Sequence, residues 1–358
     1  MVNRGKLEGI YVLRGLSCLN VVLAHSITRV LALKEAALTA SATSAYMLLR
    51  VFSTFGTPIF IFLSEFLLAY AYPNGAPKDF LKKRVKYIFI PYLAMGVLYG
   101  ALATFEGTAY LNQPGFLSFL IHVVKNFTLG FYRHGYFILV IFQFYLFHIF
   151  FHTTFEKWSP RVVLPVALGI NLLYLALFNF TQTPINHPIG AYLWKDFSWI
   201  PFPGWVFYFF LGYYCGRDYD RFKTTLMKHP LGISLAPPLI GIVVAYLQLE
   251  GYLTVNSSKR VDMLFFSVSM IFLLYHWALK HPDKTKGFQW LSRYSFGIYL
   301  LHMFFLALLT AIAPSTFLVT LPSGGLLLIL WGTATLLSIG STYLLGKQSW
   351  GKYIIGKL

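Results

Sequence analysis

The sequence predicts an all-α, polytopic integral membrane protein with about ten transmembrane helices and both termini in the cytoplasm. The first observation is composition. The 358 residues are 57% hydrophobic and 11% charged, where a soluble domain runs about 45–50% apolar and about 25% charged. The second is patterning: the mean hydropathy is +0.63, and apolar runs recur along the whole chain between Lys/Arg, Pro or Gly punctuation. The third is length. A span needs about 20 apolar residues, so ten spans fit with about 150 residues left for loops. Disorder, collagen-like repeats and an ordinary cytosolic enzyme are excluded.

The first apolar run, 8–31, is interrupted by Arg14 and lacks a small-residue cleavage pattern, so it reads as a retained span rather than a signal peptide. Further spans are expected at 45–71, 86–104, 136–152, 161–180, 201–216, 231–249, 262–279, 292–313 and 324–345. Segment 114–134 (PGFLSFLIHVVKNFTLGFYRH) reads as an interfacial or re-entrant helix before the fourth span. With alternating topology, twenty Lys/Arg fall on the side of the N-terminus and seven on the other, with Arg14 and Arg50 inside spans. That asymmetry orients both termini to the cytoplasm and favours an even number of spans. No internal repeat or linker appears, so 1–358 reads as one membrane domain with no appended soluble domain.

The net charge of +17 follows from the same rule, with anionic lipid as the partner. No basic arm or RNA module accompanies it, so nucleic acid is not an expected partner. Cys18 and Cys215, the two cysteines, both sit in apolar segments and predict no disulfide framework.

Ionisable groups inside spans are costly and normally face a cavity or a partner. Arg14 and His25 are eleven residues apart, almost three whole turns, so they share one face of the first helix about 16 Å apart. Ser17, Cys18 and Val21 lie on or beside that stripe. A functional pair is expected, with an interhelical structural network as the alternative. Cys18 reads as packing rather than as an acyl-carrying nucleophile. Glu65 is the one carboxylate deep in a span, at about the depth of Arg14, and an Arg14–Glu65 ion pair is expected to compensate both charges. His302 lies near the middle of the ninth span with Tyr299 one turn below. His148 and His276 read as packing residues. The histidines show no metal-ligand spacing, so no metal site is expected.

Two patches face water. In KDFLKKRVKYIFIPY, Lys82, Lys83, Arg84 and Lys86 cluster at the membrane surface. This is either an inside anchor or a phosphate site for an anionic nucleotide such as coenzyme A. In FYRHGYF, Arg133 and His134 stand where the fourth span begins. Trp194, Trp199 and Trp205 crowd the outer loops as an aromatic belt or a sugar-stacking surface.

Taken together, these residues resemble acyltransferase family 3, membrane proteins whose hallmark is an Arg and a His separated by ten residues in the first helix. LEGIYVLRGLSCLNVVLAHS places Arg14 and His25 at that spacing. FGTPIFIFLSEF, KKRVKYIFIPY, HGYFILVIFQFYL, WVFYFFLGYYCGR and LSRYSFGIYLLH are similar to later segments of the family, so the resemblance covers 8–345. Glu65 stands where the family often has Gly and inherits no role. Arg84 is followed three residues later by Tyr87 rather than a second Arg, and Lys83 and Lys86 substitute.

The resemblance implies a plasma-membrane enzyme that moves an acyl group, acetyl above all, from cytoplasmic acyl-CoA to a hydroxyl of a cell-surface or lipid-linked carbohydrate. Acetyl-CoA is then a donor substrate, and no bound cofactor is expected. His25 would be the general base, and Arg14 would hold donor oxygen or developing oxyanion charge. Lys82, Lys83, Arg84 and Lys86 would bind the donor. Glu65, Arg133, His134, Tyr299 and His302 would support the acceptor or the scaffold. Direct transfer and an acyl-histidine relay both remain open. The rival class is a polysaccharide exporter or lipid-linked glycan flippase, which would use intramembrane Arg and Glu on pyrophosphate.

Overall fold

The computed structural model describes residues 7–106, 115–131, 134–313 and 317–357. Regular structure among them is helical: α1 (Glu8–Leu33), α2 (Ala40–Ser53), α3 (Gly56–Ala71), α4 (Phe80–Phe105), α5 (Phe116–Leu129), α6 (Tyr136–Phe155), α7 (Pro160–Phe180), α8 (Pro188–Lys195), α9 (Val206–Arg217), α10 (Tyr219–Lys228), α11 (Pro230–Leu249), α12 (Val261–Lys280), α13 (Lys286–Ile312) and α14 (Ser323–Gly346). Nine helical stretches among the described residues are long and apolar enough to cross a membrane, with α2 and α3 counted as one stretch. The chain is therefore a multi-pass, all-helical membrane protein.

The expected crossing at 201–216 is the exception. Its helix, α9, has 12 residues, about 18 Å of rise. Nine of them are buried, so α9 is sheathed by protein and need not present a full apolar length to lipid. Its Gly212 and Gly216 let it press on α3: a Cβ at Gly212 would stand 2.5 Å from the Phe62 carbonyl oxygen, and one at Gly216 2.2 Å from that of Phe66. Small residues four apart are what close helix contact in a membrane requires. Asn171 on α7 fixes the entry to α9, its amide donating to the Gly204 carbonyl at 2.9 Å and its oxygen accepting from the Phe207 N–H at 3.3 Å.

Two other boundaries differ from expectation. The run 45–71 breaks at Thr54–Phe55, because Pro58 has no N–H to donate to Thr54. The Thr54 hydroxyl turns back onto the Val51 carbonyl at 2.7 Å. The third span begins at Phe80 rather than at 86. Its turn Val85–Phe89 is a π-helix, placed just ahead of Pro91, whose missing N–H would leave an ordinary α-turn unpaired. Lys82, Lys83, Arg84 and Lys86 are thus helical rather than in a loop.

The chain divides into two compact units. The first comprises residues up to Arg14, Phe55–Lys82 and Tyr136–Gln289, which takes in α3 and α6 to α12. The second comprises Gly15–Thr54, Lys83–Gly135 and Trp290–Leu358, which takes in most of α1, α2, most of α4, α5, most of α13 and α14. In the second unit, α5 docks on α4 where a Cβ at Gly96 or Gly100 would collide with Phe127 or Val123, and the Asn126 amide donates to the Gly96 carbonyl at 2.9 Å. This is the helix expected within 114–134. Residues 132–133 of that segment, and so Arg133, lie outside the described residues. In the same unit α13 approaches α14 at Gly297, where a Cβ would overlap Thr342. The indole of Trp331 on α14 donates to the Leu19 carbonyl of α1 at 3.0 Å.

Candidate active site

The second unit gathers four of the residues singled out from sequence. His25 is carried by α1. His134 sits in a tight turn made by Gly130, whose φ of 88° ends α5, and by Gly135, where any Cβ would strike Phe131. The His134 and Gly135 N–H groups both donate to the Phe131 carbonyl, at 3.1 and 2.9 Å. Tyr299 and His302 lie one turn apart on α13. The ring centroids stand 5.3 Å apart for His25 and His302, 6.0 Å for His25 and His134, and 5.0 Å for His134 and His302. His302 is fully buried and His134 nearly so, whereas His25 is half-buried.

The hydrogen bonds set what each group can do. His302 Nδ1 lies 2.9 Å from the Ile298 carbonyl. A carbonyl accepts only, so Nδ1 carries the proton and Nε2 keeps its lone pair. That Nε2 is buried with no hydrogen-bond partner. The Tyr299 hydroxyl donates to the His134 carbonyl at 2.5 Å, so it positions the turn rather than serving as an acid.

Two residues here were missed at the sequence level. Tyr99 on α4 is fully buried, stacked on Phe131 at 5.2 Å and edge-on to His134 at 5.4 Å. Its hydroxyl donates to the Leu300 carbonyl at 2.8 Å and accepts from the Phe304 N–H at 3.0 Å, so it clasps the turn that holds His302. Arg50 on α2 donates through Nε to the Thr28 hydroxyl at 2.8 Å, one turn along α1 from His25. Beside it Arg29 lies 4.0 Å from Glu106. The site therefore places cations a turn away from a set of uncharged-capable imidazoles. That arrangement can accept a proton from a hydroxyl and stabilise negative charge developing on an oxygen.

Other expected residues are elsewhere. Arg14 lies on the same uninterrupted helix as His25 and is half-buried. Ser17, Cys18 and Val21 along the stripe are all buried. Glu65 does not pair with Arg14. Its Oε1 meets His148 Nδ1 at 2.5 Å, with both side chains fully buried. His148 is therefore not bland packing: helical phase gives the face of α6 on which it lies, not the neighbour across from it. Lys82 and Lys83 are exposed and Arg84 and Lys86 half-buried. Lys86 sits over the Tyr87 and Tyr353 rings at 5.6 and 5.5 Å.

The aromatic belt is also revised. Trp205 is buried and donates to the Trp199 carbonyl at 2.9 Å, and Lys259 covers the Trp199 ring at 3.1 Å. Arg260 is fully buried, bidentate to Asp262 at 2.9 and 2.6 Å and bonded to Gln248. Two of the seven charges assigned to outer loops are thus enclosed by protein. Cys18 and Cys215 are not joined in a disulfide, and no group of His, Cys, Asp or Glu among the described residues is arranged to hold a metal.

The family model described as an acyltransferase domain matches residues 7–346. "Putative membrane-bound acyltransferase YfiQ" of Bacillus subtilis (strain 168) is 38% identical over 99% of this chain and 95% of its own length. The "Probable poly-beta-1,6-N-acetyl-D-glucosamine export protein" of Staphylococcus aureus (strain MSSA476) is 29% identical over 83% of this chain and 81% of its own. Its namesake from Staphylococcus epidermidis is 30% identical over 84% and 81%. No solved structure matches the chain.

Proposed function

Since the chain belongs to acyltransferase family 3 and is a membrane acyltransferase, we propose that it transfers an acyl group, acetyl above all, from cytoplasmic acyl-CoA to a hydroxyl of a cell-surface or lipid-linked carbohydrate. It does so in the plasma membrane, with both termini inside. The observation that carries this reading is the setting of His25: half-buried, on the helix that bears Arg14, with two further imidazoles at 5.3 and 6.0 Å.

In this mechanism His25 takes the hydroxyl proton as the sugar oxygen attacks the thioester carbonyl. The C–S bond then breaks, and the leaving thiolate takes the proton back from the imidazolium. Arg14 stands about 16 Å along the helix from His25, too far to reach the oxyanion, and holds a phosphate oxygen of the donor, where a planar fork of donors fits best. His302 and His134 keep His25 oriented by ring contact, and Tyr299 and Tyr99 hold those two in place. Lys82, Lys83, Arg84 and Lys86 bind the donor phosphates. The same residues serve a relay in which the acyl group rests on the imidazole of His25 before the hydroxyl takes it.

The names of the staphylococcal relatives favour a second reading, glycan export. Mass spectrometry of surface glycans from cells with and without the gene separates the two. Loss of an ester from glycan that still reaches the surface supports transfer, and loss of the glycan itself supports export.

A further inference from the structure

The first unit contains a line of titratable groups that the proposed transfer does not use. Glu65 Oε1 and His148 Nδ1 are 2.5 Å apart, and both side chains are completely buried. Each has a second polar atom, Glu65 Oε2 and His148 Nε2, that is also buried and has no hydrogen-bond partner. One turn along α6 the ring of His152 stands 5.1 Å from that of His148. Another four residues on, Glu156 Oε1 lies 3.5 Å from His152 Nε2. Exposure rises along this stripe: none for His148, 9% for the His152 side chain and 43% for that of Glu156. The three sit at i, i+4 and i+8, so about 12 Å of helix axis joins the buried end to the exposed one.

A buried ion pair whose outer atoms are left unbonded stabilises a fold poorly, because each orphaned atom keeps its desolvation cost. Hydrophobic side chains would join α3 to α6 at lower cost. What the four residues do provide is a succession of proton-carrying groups, in polar contact at its two ends and in ring contact between His148 and His152. The step between His152 and His148, whose rings stand 5.1 Å apart, requires a bridging water or a turn of the His152 ring. Intramembrane Asp, Glu and His in such chains are the usual material of proton relays. Two groups face the line: the Pro73 carbonyl accepts from His152, and Arg217 donates to the Glu156 carbonyl at 3.5 Å. Arg217 lies over the Tyr213 and Tyr214 rings at 5.3 and 4.9 Å, and Tyr213 lies edge-on to His148 at 6.0 Å. Gly212 leaves the space that Glu65 fills, its Cβ position 3.4 Å from Glu65 Cβ.

We propose that Glu65, His148, His152 and Glu156 form a proton-exchange path that connects a buried carboxyl group to water. A proton enters at the Glu156 carboxylate, passes to His152 and then His148, and ends as the O–H of the Glu65 carboxylic acid. The reverse order returns it. No electron or other group moves, and the assignment holds whether the chain acylates or exports its glycan.

Infrared difference spectra of the purified full chain in lipid nanodiscs test it, with acidic buffer compared to neutral and H₂O to D₂O. The expected result is a carboxylic-acid carbonyl band that grows on acidification, shifts in Glu65→Asp and disappears in Glu65→Gln. After transfer to D₂O, His152→Phe and Glu156→Gln should keep the band but slow its exchange by about tenfold or more. Glu156 is half-exposed, so Glu156→Gln keeps the test decisive even if the Glu65 variants fail to accumulate. A wild-type protein without a titrating carboxyl band would overturn the path, and so would exchange rates equal to wild type in both His152→Phe and Glu156→Gln. Glu65 and His148 would then be a clamp between α3 and α6 only.

Discussion

The unit that contains His25 holds its imidazoles against aromatic rings and main-chain carbonyls, whereas the unit that contains Glu65 holds His148 against a carboxylate at 2.5 Å. The two settings have different consequences. A histidine whose one nitrogen donates to a carbonyl, as His302 does to Ile298, needs no counter-charge and keeps its other nitrogen available. A buried histidine facing a carboxylate shares a proton and a charge with it, so neither partner can be removed without stranding the other. Substitutions in the first setting should therefore be read in turnover, and those in the second in folding and proton exchange.

The largest expected effect breaks the first setting. His25→Ala should lower acyl transfer by about 10²–10⁴-fold, the range for loss of a general base, while the protein still inserts and accumulates. Arg14→Lys should fail as Arg14→Ala does, because a point charge does not reproduce the guanidinium fork. Surface ester content close to wild type in His25→Ala cells would remove His25 from the mechanism. Activity restored by Lys would reduce Arg14 to a plain positive charge.

The next effect belongs to the second setting. Glu65→Ala should destabilise the protein by about 3–5 kcal/mol, the cost of leaving one member of a buried pair. The double variant Glu65→Leu/His148→Leu should recover most of that loss, since no polar atom is then stranded. Thermal unfolding of the detergent-solubilised variants checks both. A single variant as stable as wild type would mean that the pair is not a shared charge at all.

The two settings were unequally legible in the sequence. Arg14, His25 and His302 stand out because an ionisable side chain in an apolar run has a cost that needs a reason. His134 and Tyr299 were drawn in by the motifs around them. Tyr99 left no such mark: with 24 Tyr and 35 Phe in the chain, one aromatic in a span looks like another until its hydroxyl is seen between Leu300 and Phe304. The partner of Glu65 was misassigned for a similar reason. Periodicity gives the face of a helix, and depth gives the level, but neither says which helix stands opposite. The expected span at 201–216 is instead the 12-residue α9, because an apolar run does not tell lipid contact from protein contact, and Gly212 and Gly216 put that helix against protein. Without a local cue, the chain gives periodicity but not neighbours.

Tyr99→Phe sharpens the first setting without breaking it. It keeps the stacking on Phe131 and removes only the hydroxyl that bridges Leu300 and Phe304. Losing those two bonds costs about 0.5–1.5 kcal/mol each in stability; the loosened turn around His302 should lower kcat about three- to tenfold with KM unchanged. A rise in KM at constant kcat would instead assign Tyr99 to acceptor binding.

The smallest effect concerns the donor. Lys82 and Lys83 are exposed on the first turn of α4, where an anchor and a phosphate site make different demands on charge. Topology depends on the total: in the orientation proposed above, neutralising both removes only two of the twenty Lys/Arg assigned to the inner side. Attraction to the phosphates of coenzyme A depends on the few charges within a Debye length of about 8–10 Å. Each exposed pairing contributes about 0.2–1 kcal/mol. Lys82→Gln/Lys83→Gln should therefore weaken donor binding by about three- to tenfold at low salt and flatten its salt dependence, with orientation unchanged. Titration of acetyl-CoA into the purified double variant over a range of salt measures this. A dissociation constant equal to wild type at every salt concentration would leave these lysines as an anchor and move the donor site to another basic cluster, with Arg217 to Lys228 the first to test.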